Sequence, residues 1–87
     1  MRAVITVIGR DMVGILAKVS TVCAEANANV IEVTQSVLQE FFAMVMLIDI
    51  EKMNCDLGEL QKRLAANVSG MTIHVMHEDI FNSMHRI

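Results

Sequence analysis

The fold of this chain is constrained most strongly by the order in which helix-like and strand-like patterns of apolar residues follow one another along the sequence. Apolar residues recur at helical spacing in two stretches, residues 15–26 and 57–68. Short apolar or alternating segments typical of strands precede the first stretch, occur twice between the stretches and follow the second. The predicted order is therefore β-α-β-β-α-β.

This order leaves few topologies, because two helices can cover only one face of a sheet and crossover connections are right-handed. We predict an α+β fold, the ferredoxin-like βαββαβ sandwich, with a four-stranded antiparallel sheet and both helices on one face. The first strand, residues 3–8, and the third, residues 41–50, are almost continuously apolar, as expected of central strands. The second and fourth strands are then the edges.

The second and third strands are expected to form a tight hairpin, because only Gln39-Glu40 separates them. Counting outward from a two-residue turn pairs apolar residues on one face: Val37 with Phe42, Val33 with Met46, Ile31 with Ile48. The other face pairs smaller or more polar residues: Glu32 with Leu47, Thr34 with Val45, Ser36 with Ala43. Only the first face is therefore expected to need a helical cover.

The second helix and the tail carry their own start and stop signals. Asp56, with Glu59 three positions later, is a variant of the capping box, and Ser69-Gly70 ends the helix. Apolar residues recur at helical spacing again over residues 80–87. We expect a short C-terminal helix capped by Asp79, lying across a sheet edge or on a partner.

The first strand meets the first helix through a segment that holds two glycines, Gly9 and Gly14. Gly9 suits a tight exit from the strand at positive φ, and Asp11 or its neighbour suits a helix cap. Gly14 falls in the predicted first helical turn, where alanine is normally favoured by about 1 kcal/mol. Its missing side chain would let a ligand approach the helix N-terminus, which favours a carboxylate or phosphate. A plain strand-to-helix turn is the alternative.

Composition predicts a protein partner. Of 87 residues, 54% are apolar and 20% charged, against about 45–50% and about 25% in typical domains. We expect residues 1–87 to form a single domain, and a chain this short hides only about 60–65% of its unfolded surface. Burial of the excess apolar surface favours a two-fold homodimer. The net charge of −3, with scattered Lys and Arg, disfavours nucleic acid as a partner.

The sequence carries no signal for export or membrane insertion. The apolar run of residues 1–8 is too short for a signal peptide, and no apolar stretch approaches about 20 residues. We therefore expect a cytoplasmic protein without membrane contact. In that reducing compartment Cys23 and Cys55, which lack C-x-x-C spacing, are expected to be free thiols.

Residues with catalytic or metal-binding chemistry form no recognisable site. His74 and His77 point to opposite faces of a strand, and with His85 they are expected to be surface or interface histidines. No Ser/His/Asp or Cys/His arrangement can be assembled, so we predict no catalytic residue, no metal and no cofactor. One enzymatic alternative stays open. Small acyl-phosphate hydrolases share this fold and use an arginine and an asparagine, to which Arg10 and Asn29 would correspond.

The segment Gly9-Arg10-Asp11-x-x-Gly14-Ile15-Leu16, with Asn29-Val30-Ile31 at the start of the second strand, resembles the ACT domain, a small amino-acid-binding regulatory module. The tail from Ile80-Phe81 to Met84-His85-Arg86-Ile87 extends the resemblance over the whole chain. The chain is most similar to the stand-alone single-domain ACT proteins of prokaryotes, whose relatives include regulators of the glycine cleavage repressor type.

The resemblance implies a ligand site between two copies. In ACT domains two copies commonly pair edge to edge, and effectors bind between the first loop and helix of one copy and the second strand of its neighbour. By position, this assigns ligand contacts to eight residues: Asp11, Met12, Val13, Gly14, Ile15, Asn29, Val30 and Ile31. The implied partners are a second copy, a small-molecule effector such as an amino acid or related metabolite, and a separate regulated protein.

Overall fold

The computed structural model describes residues 1–10 and 13–84, with the backbone alone at Leu38. All the predicted strands and helices are present, in the predicted order. They are β1 (Arg2–Arg10), α1 (Ile15–Glu25), β2 (Asn29–Leu38), β3 (Phe41–Asp49), α2 (Leu57–Asn67), β4 (Met71–His77) and α3 (Glu78–Met84).

The four strands form one sheet in the order β2-β3-β1-β4, with every neighbouring pair antiparallel. β1 and β3 are central and β2 and β4 are the edges, so the predicted ferredoxin-like fold is confirmed. The near-continuous apolar character of β1 and β3 has the expected cause, because a central strand meets a neighbour on each side and packing elements on its faces.

The hairpin between β2 and β3 turns at Gln39-Glu40, and the pairs nearest the turn follow the predicted register. Farther from the turn, a bulge between Val30 and Glu32 places Val30 opposite Ile48. The predicted pairing of Ile31 with Ile48 is therefore wrong. Because the bulge inserts one extra residue into β2, Ile31 loses its place on the core side and is 46% exposed.

One face of the sheet packs against α1 and α2 and forms the hydrophobic core. Alternate strand residues and one stripe of each helix meet there, as the two periodicities require. The largest fully buried side chains are Ile5, Val7, Ile15, Val19, Met44, Met46, Ile48, Leu60, Leu64 and Val68. Met44 and Met46 serve as adaptable core filling, which agrees with their place in the strand pattern.

The opposite face of the sheet, called the open face below, is partly covered by α3. Phe81 lines two clefts together with strand residues of this face, and Arg2 Nη2 lies 2.7 Å from Glu78 Oε2. Val4 on this face is only 3% exposed. The expectation that α3 lies across a sheet edge is therefore wrong, and so is the expectation that only one face needs a helical cover. The apolar residues of the open face offer α3 a surface within its own chain.

α3 begins at Glu78, two residues earlier than a cap at Asp79 predicts. The backbone N–H of Asp79 donates to Nδ1 of His77 at 3.1 Å. His77, rather than Asp79, therefore supplies the acceptor that caps this helix.

β1 continues through Gly9 to Arg10 in regular extended backbone, so the predicted positive-φ exit at Gly9 is wrong. Gly9 instead makes room for a side chain. It lies opposite Met71 in the register, and a Cβ added to Gly9 would overlap Sδ of Met71 and lie 3.3 Å from the carbonyl oxygen of Gly70. The glycine is needed for the close packing of β4 against β1.

The turn from α1 to β2 is tied to the loop between β3 and α2 by two asparagines. Asn27 adopts φ 60°, and its Nδ2 donates to the carbonyl of Lys52 at 2.8 Å. Asn54 donates from Nδ2 to the carbonyl of Glu25 at 3.0 Å and from its backbone N–H to the carbonyl of Ala26 at 2.9 Å. These bonds satisfy carbonyl groups at the end of α1 and set where β2 begins.

Candidate functional site

The N-terminus of α1 is the centre of the predicted site. Gly14 is the N-cap of this helix, and its carbonyl accepts the N–H of Lys18 at 3.0 Å. Within residues 1–10 and 13–84, no side chain accepts a hydrogen bond as the cap of this helix. Asp11 and Met12, two of the predicted site residues, lie outside the described residues.

Gly14 has a backbone reason to be glycine. Its φ of 83° is in the left-handed region, so it precedes the helix instead of occupying the first turn. The expectation that alanine is neutral or stabilising there is wrong, because an L side chain is strained by about 1–2 kcal/mol at this φ. Among the described residues, no heavy atom lies within 4 Å of a Cβ added to Gly14. The described part of the chain therefore leaves the space beside the helix N-terminus open.

The residues on either side of Gly14 differ sharply in exposure. The Val13 side chain is 94% exposed, whereas that of Ile15 is 2% exposed and belongs to the core. Ile15 can therefore offer a ligand only its backbone N–H. Val13 therefore offers exposed apolar surface at this helix N-terminus.

The second part of the predicted site is the start of β2. Asn29 is exposed and lies opposite Asp49, and Val30 is half-buried opposite Ile48. Ile31 occupies the bulge and points its side chain outward. The bulge therefore presents an apolar side chain at the outer edge of the sheet.

The two parts of the site lie at opposite ends of the sheet within one chain. β1 and β2 run parallel, because both are antiparallel to β3. Asn29 and Arg2 both pair with Asp49 at one end of the sheet. The loop between β1 and α1 follows Arg10, at the other end of the sheet. Eight residue steps along β1 separate the two ends, about 26 Å. A single chain does not bring the predicted contacts together.

The two edges of the sheet differ in what covers them. At β4, Gln61 of α2 donates from Nε2 to the carbonyl of Ile73 at 2.6 Å and accepts the N–H of Val75 on Oε1 at 2.8 Å. Backbone groups of successive residues point alternately to the two sides of a strand, so those of Ile73 and Val75 point away from β1. Gln61 therefore blocks the outer edge of β4.

At β2 the corresponding edge is free. Backbone groups alternate in the same way along every strand, and the register shows which residues of neighbouring strands bond each other. Followed from β4 through β1 and β3 to β2, this pattern directs the backbone N–H and C=O groups of Val33, Gln35 and Val37 away from β3. In the part of the chain that the structure describes, no side chain is found to bond them. β2 is thus the edge open to another strand.

The sequence pattern missed two apolar side chains at the loop end of the sheet. Leu16 belongs to the apolar stripe of α1 and Val37 to the core-facing side of the hairpin, so both were expected to be buried. They are 38% and 65% exposed, respectively. Only the arrangement of α1 over the sheet reveals them, because α1 leaves the end of β2 uncovered.

Charged and titratable groups form no reactive cluster among the residues that the structure describes. Among the described residues, no group of three or more His, Cys, Asp or Glu side chains could hold a metal ion. The hydrogen bond from Arg2 to Glu78 raises the pKa of Arg2. Burial raises the pKa of the Cys23 thiol to about 11, and Cys23 and Cys55 are both free.

The pair suggested for an acyl-phosphate hydrolase is separated by the fold. Arg10 is at the loop end of β1 and Asn29 is at the opposite end of the sheet. The distance between these ends, about 26 Å, is far beyond what one small substrate could bridge. Within one chain the two side chains cannot act on the same molecule.

None of the helices that the structure describes is long and apolar enough to cross a membrane. The longest, α1 and α2, have 11 residues each, and a membrane-spanning helix needs about 20.

Known proteins match this chain over nearly its whole length. The sequence model of the ACT domain matches residues 2–77. A UPF0237 protein of Methanopyrus kandleri is 46% identical over 88 residues, which cover 99% of this chain and 98% of the relative. An ACT domain protein from Streptococcus pneumoniae has a TM-score of 0.77 and 31% identity, with 98% of each chain covered.

A candidate glycine cleavage system transcriptional repressor shares the fold, with a TM-score of 0.68 and 22% identity over 85% of this chain and 43% of that protein. The near-complete matches to the family model and to the single-domain relatives agree with the strand order and with the loop between β1 and α1. This chain belongs to the ACT domain family.

Proposed function

We propose that this ACT domain is a homodimeric regulatory module that binds an amino acid or a related small metabolite between its two copies. ACT domains are typically ligand-binding regulatory domains. The observation that carries the proposal is the free backbone edge of β2, at Val33, Gln35 and Val37, beside a sheet whose other edge is blocked by Gln61. A free edge strand pairs readily with a second strand.

Two-fold pairing through β2 would complete the ligand site. The two β2 strands would run antiparallel, so the start of β2 in the partner would lie at the loop end of the first copy. Asn29, Val30 and Ile31 of one copy would then approach Val13 and Gly14 of the other. The separation of about 26 Å within one chain supports the dimer as the unit that binds ligand.

The nature of the ligand follows from the helix terminus. The first N–H groups of α1 attract a carboxylate or phosphate, and no side-chain cap competes for them in the described residues. Val13 adds apolar surface beside the open space at Gly14. A molecule with a carboxylate and a modest apolar portion fits both features, and its bound state would be detected by a regulated protein.

The dimer is tested with Gln35→Pro. Proline removes only the outward N–H of Gln35, so the bonds between β2 and β3 stay intact, and proline is tolerated on edge strands. Gln35→Ala is the matched control. Size-exclusion chromatography with light scattering should find wild type and Gln35→Ala as dimers and Gln35→Pro as a monomer of 9.7 kDa. A wild-type monomer, or a dimer that Gln35→Pro does not disrupt, would contradict pairing through β2.

The ligand is sought by thermal shift with amino acids and with folate- and nucleotide-type metabolites. A ligand at 100 times its Kd should stabilise the protein by about 2.7 kcal/mol. The site is then tested with Val13→Glu, which places a negative charge at the helix N-terminus, against the nearly isosteric Val13→Gln. Only Val13→Glu should lower the affinity for an anionic ligand. The Gln35→Pro monomer should bind the ligand weakly, because its site lacks the partner strand. Equal affinity in both Val13 variants would move the site elsewhere.

A further inference from the structure

A second, separate cleft lies on the open face of the sheet. Its volume is about 300 Å³, and it lies between the strands and α3. Ile8, Val45 and Met76 line the sheet side, and Phe81 and Met84 of α3 line the other side. This cleft is on the face opposite α1 and α2, so it is distinct from the loop and helix N-terminus of α1.

The polar side chains of the cleft are concentrated at one position. Thr6 and His74 both line it, and they are directly opposite each other in the register of β1 and β4. Directly opposed residues have Cβ atoms about 5 Å apart, so their polar groups form one small patch. Among residues 1–10 and 13–84, no aspartate, glutamate, lysine or arginine lines the cleft. It therefore suits an apolar molecule with one hydrogen-bonding group and disfavours a zwitterion.

The shape of the open face argues for a small molecule as the occupant. α3 covers the end near Val4 and leaves Ile8 51% exposed at the other end. A second sheet would need to pack about 10 Å away across the whole face. α3 stands on that face and is itself about 10 Å in diameter, so it prevents such packing. What remains is a space at the lower end of the range for small-molecule sites.

The cleft walls favour an aromatic ring. Met76 and Met84 carry polarizable thioethers, which make favourable contacts with ring edges, and Phe81 offers an aromatic partner. We infer that the cleft between the open face and α3 binds a small aromatic molecule carrying one hydrogen-bonding group, of the phenol or indole class. The inference does not depend on the ligand proposed at the loop.

The test uses indole as the probe, with binding followed by protein NMR on the full chain. Saturable shifts should cluster at Thr6, Ile8, Val45 and His74. Ala43, which also lines the cleft, is changed in Ala43→Leu to fill the space, and Ala66→Leu on the exposed side of α2 is the matched control. We expect at least a tenfold loss of affinity in Ala43→Leu and none in Ala66→Leu.

Two further comparisons test the cleft independently of Ala43→Leu: a second variant and a second ligand. Met84→Ala removes a side chain that lines the cleft, and the protein should still fold because Met84 is exposed. This variant should therefore lower the affinity for indole even if Ala43→Leu fails to fold. N-methylindole lacks the N–H donor and should bind more weakly than indole to wild type, and Thr6→Val should remove that difference. Absence of saturable binding, shifts centred on residues 13–16 or 29–31, or unchanged affinity in Met84→Ala would each overturn the inference.

Discussion

Gln61 on α2 bonds the backbone of Val75 on the outer edge of β4, where its Oε1 accepts the Val75 N–H at 2.8 Å. Its Nε2 donates to the carbonyl of Ile73 at 2.6 Å, so one amide side chain satisfies both backbone groups. The amide imitates a neighbouring strand over two residues. This contact makes the two edges of the sheet unequal and leaves β2 as the edge for association.

Gln61→Leu should lower the free energy of unfolding by about 1–3 kcal/mol, because it leaves two part-buried backbone groups without partners. Urea denaturation measures the loss, and amide exchange at Val75 should accelerate. Lys62→Leu, at an exposed neighbouring position, is the control and should change neither quantity. Wild-type stability together with unchanged exchange in Gln61→Leu would show that the amide does not protect this edge.

Gly9→Ala should destabilise the protein through Met71, because the added Cβ would overlap the Met71 sulfur. We expect a loss of about 1–3 kcal/mol, which is typical of overpacking. The double variant Gly9→Ala with Met71→Ala should recover part of that loss relative to Met71→Ala alone. A double-mutant cycle by chemical denaturation measures the coupling, and strictly additive effects would mean that the two residues do not interact.

The Cys23 thiol should make stability fall at alkaline pH. Burial raises its pKa from 9.0 to about 11 in the folded protein, so above about pH 9 the unfolded chain loses this proton while the folded protein keeps it. The free energy of unfolding should then decrease between about pH 9 and about pH 11, by roughly 2–3 kcal/mol. Denaturation of wild type and Cys23→Ala across this range isolates the effect, because the variant should lack this part of the decrease. Parallel curves would contradict it.

Native protein should also expose only one of its two thiols to reagents. Cys55 is half-buried and Cys23 is fully buried in the core. A colorimetric thiol assay at neutral pH should find rapid reaction at Cys55, with Cys23 reacting only after addition of denaturant. Cys55→Ser should therefore abolish the rapid phase, and a rapid phase that persists in this variant would show that the core opens readily.

Asp56 should contribute about 1 kcal/mol as the N-cap of α2. Its Oδ1 accepts the N–H of Glu59 at 2.7 Å, as the sequence predicts. The Glu59 side chain does not complete the capping box, since its Oε2 lies 3.3 Å from Nε of Arg63. The melting temperature of Asp56→Ala should be well below that of Asp56→Ser, which keeps a hydrogen-bond acceptor. Glu59→Gln should change stability by less than about 0.5 kcal/mol, because exposed ion pairs contribute little.

Local patterns in the sequence determined the order of the elements, the hairpin at Gln39-Glu40 and the cap at Asp56. Each of these rests on residues within a few positions of one another, where apolar periodicity and capping chemistry act directly. The same patterns, together with the family resemblance, indicated the loop and the start of β2 as the candidate ligand site. The predicted topology already implied that these segments lie at opposite ends of the sheet, because β1 and β2 run parallel in it, whereas no local pattern could show that Ile31 would be exposed.

Tertiary contacts decided what the local patterns could not. Gly9 is extended because Met71 packs over it, and α3 lies on the open face because apolar strand residues there remained without a cover. The bulge that exposes Ile31 has no signature in β2 alone. Each of these features depends on contacts between segments that are far apart along the chain. Such contacts form only when the whole domain folds, so a local sequence pattern does not reveal them. Periodicity specifies which side of an element is apolar, and only the assembled sheet specifies which segment covers that side.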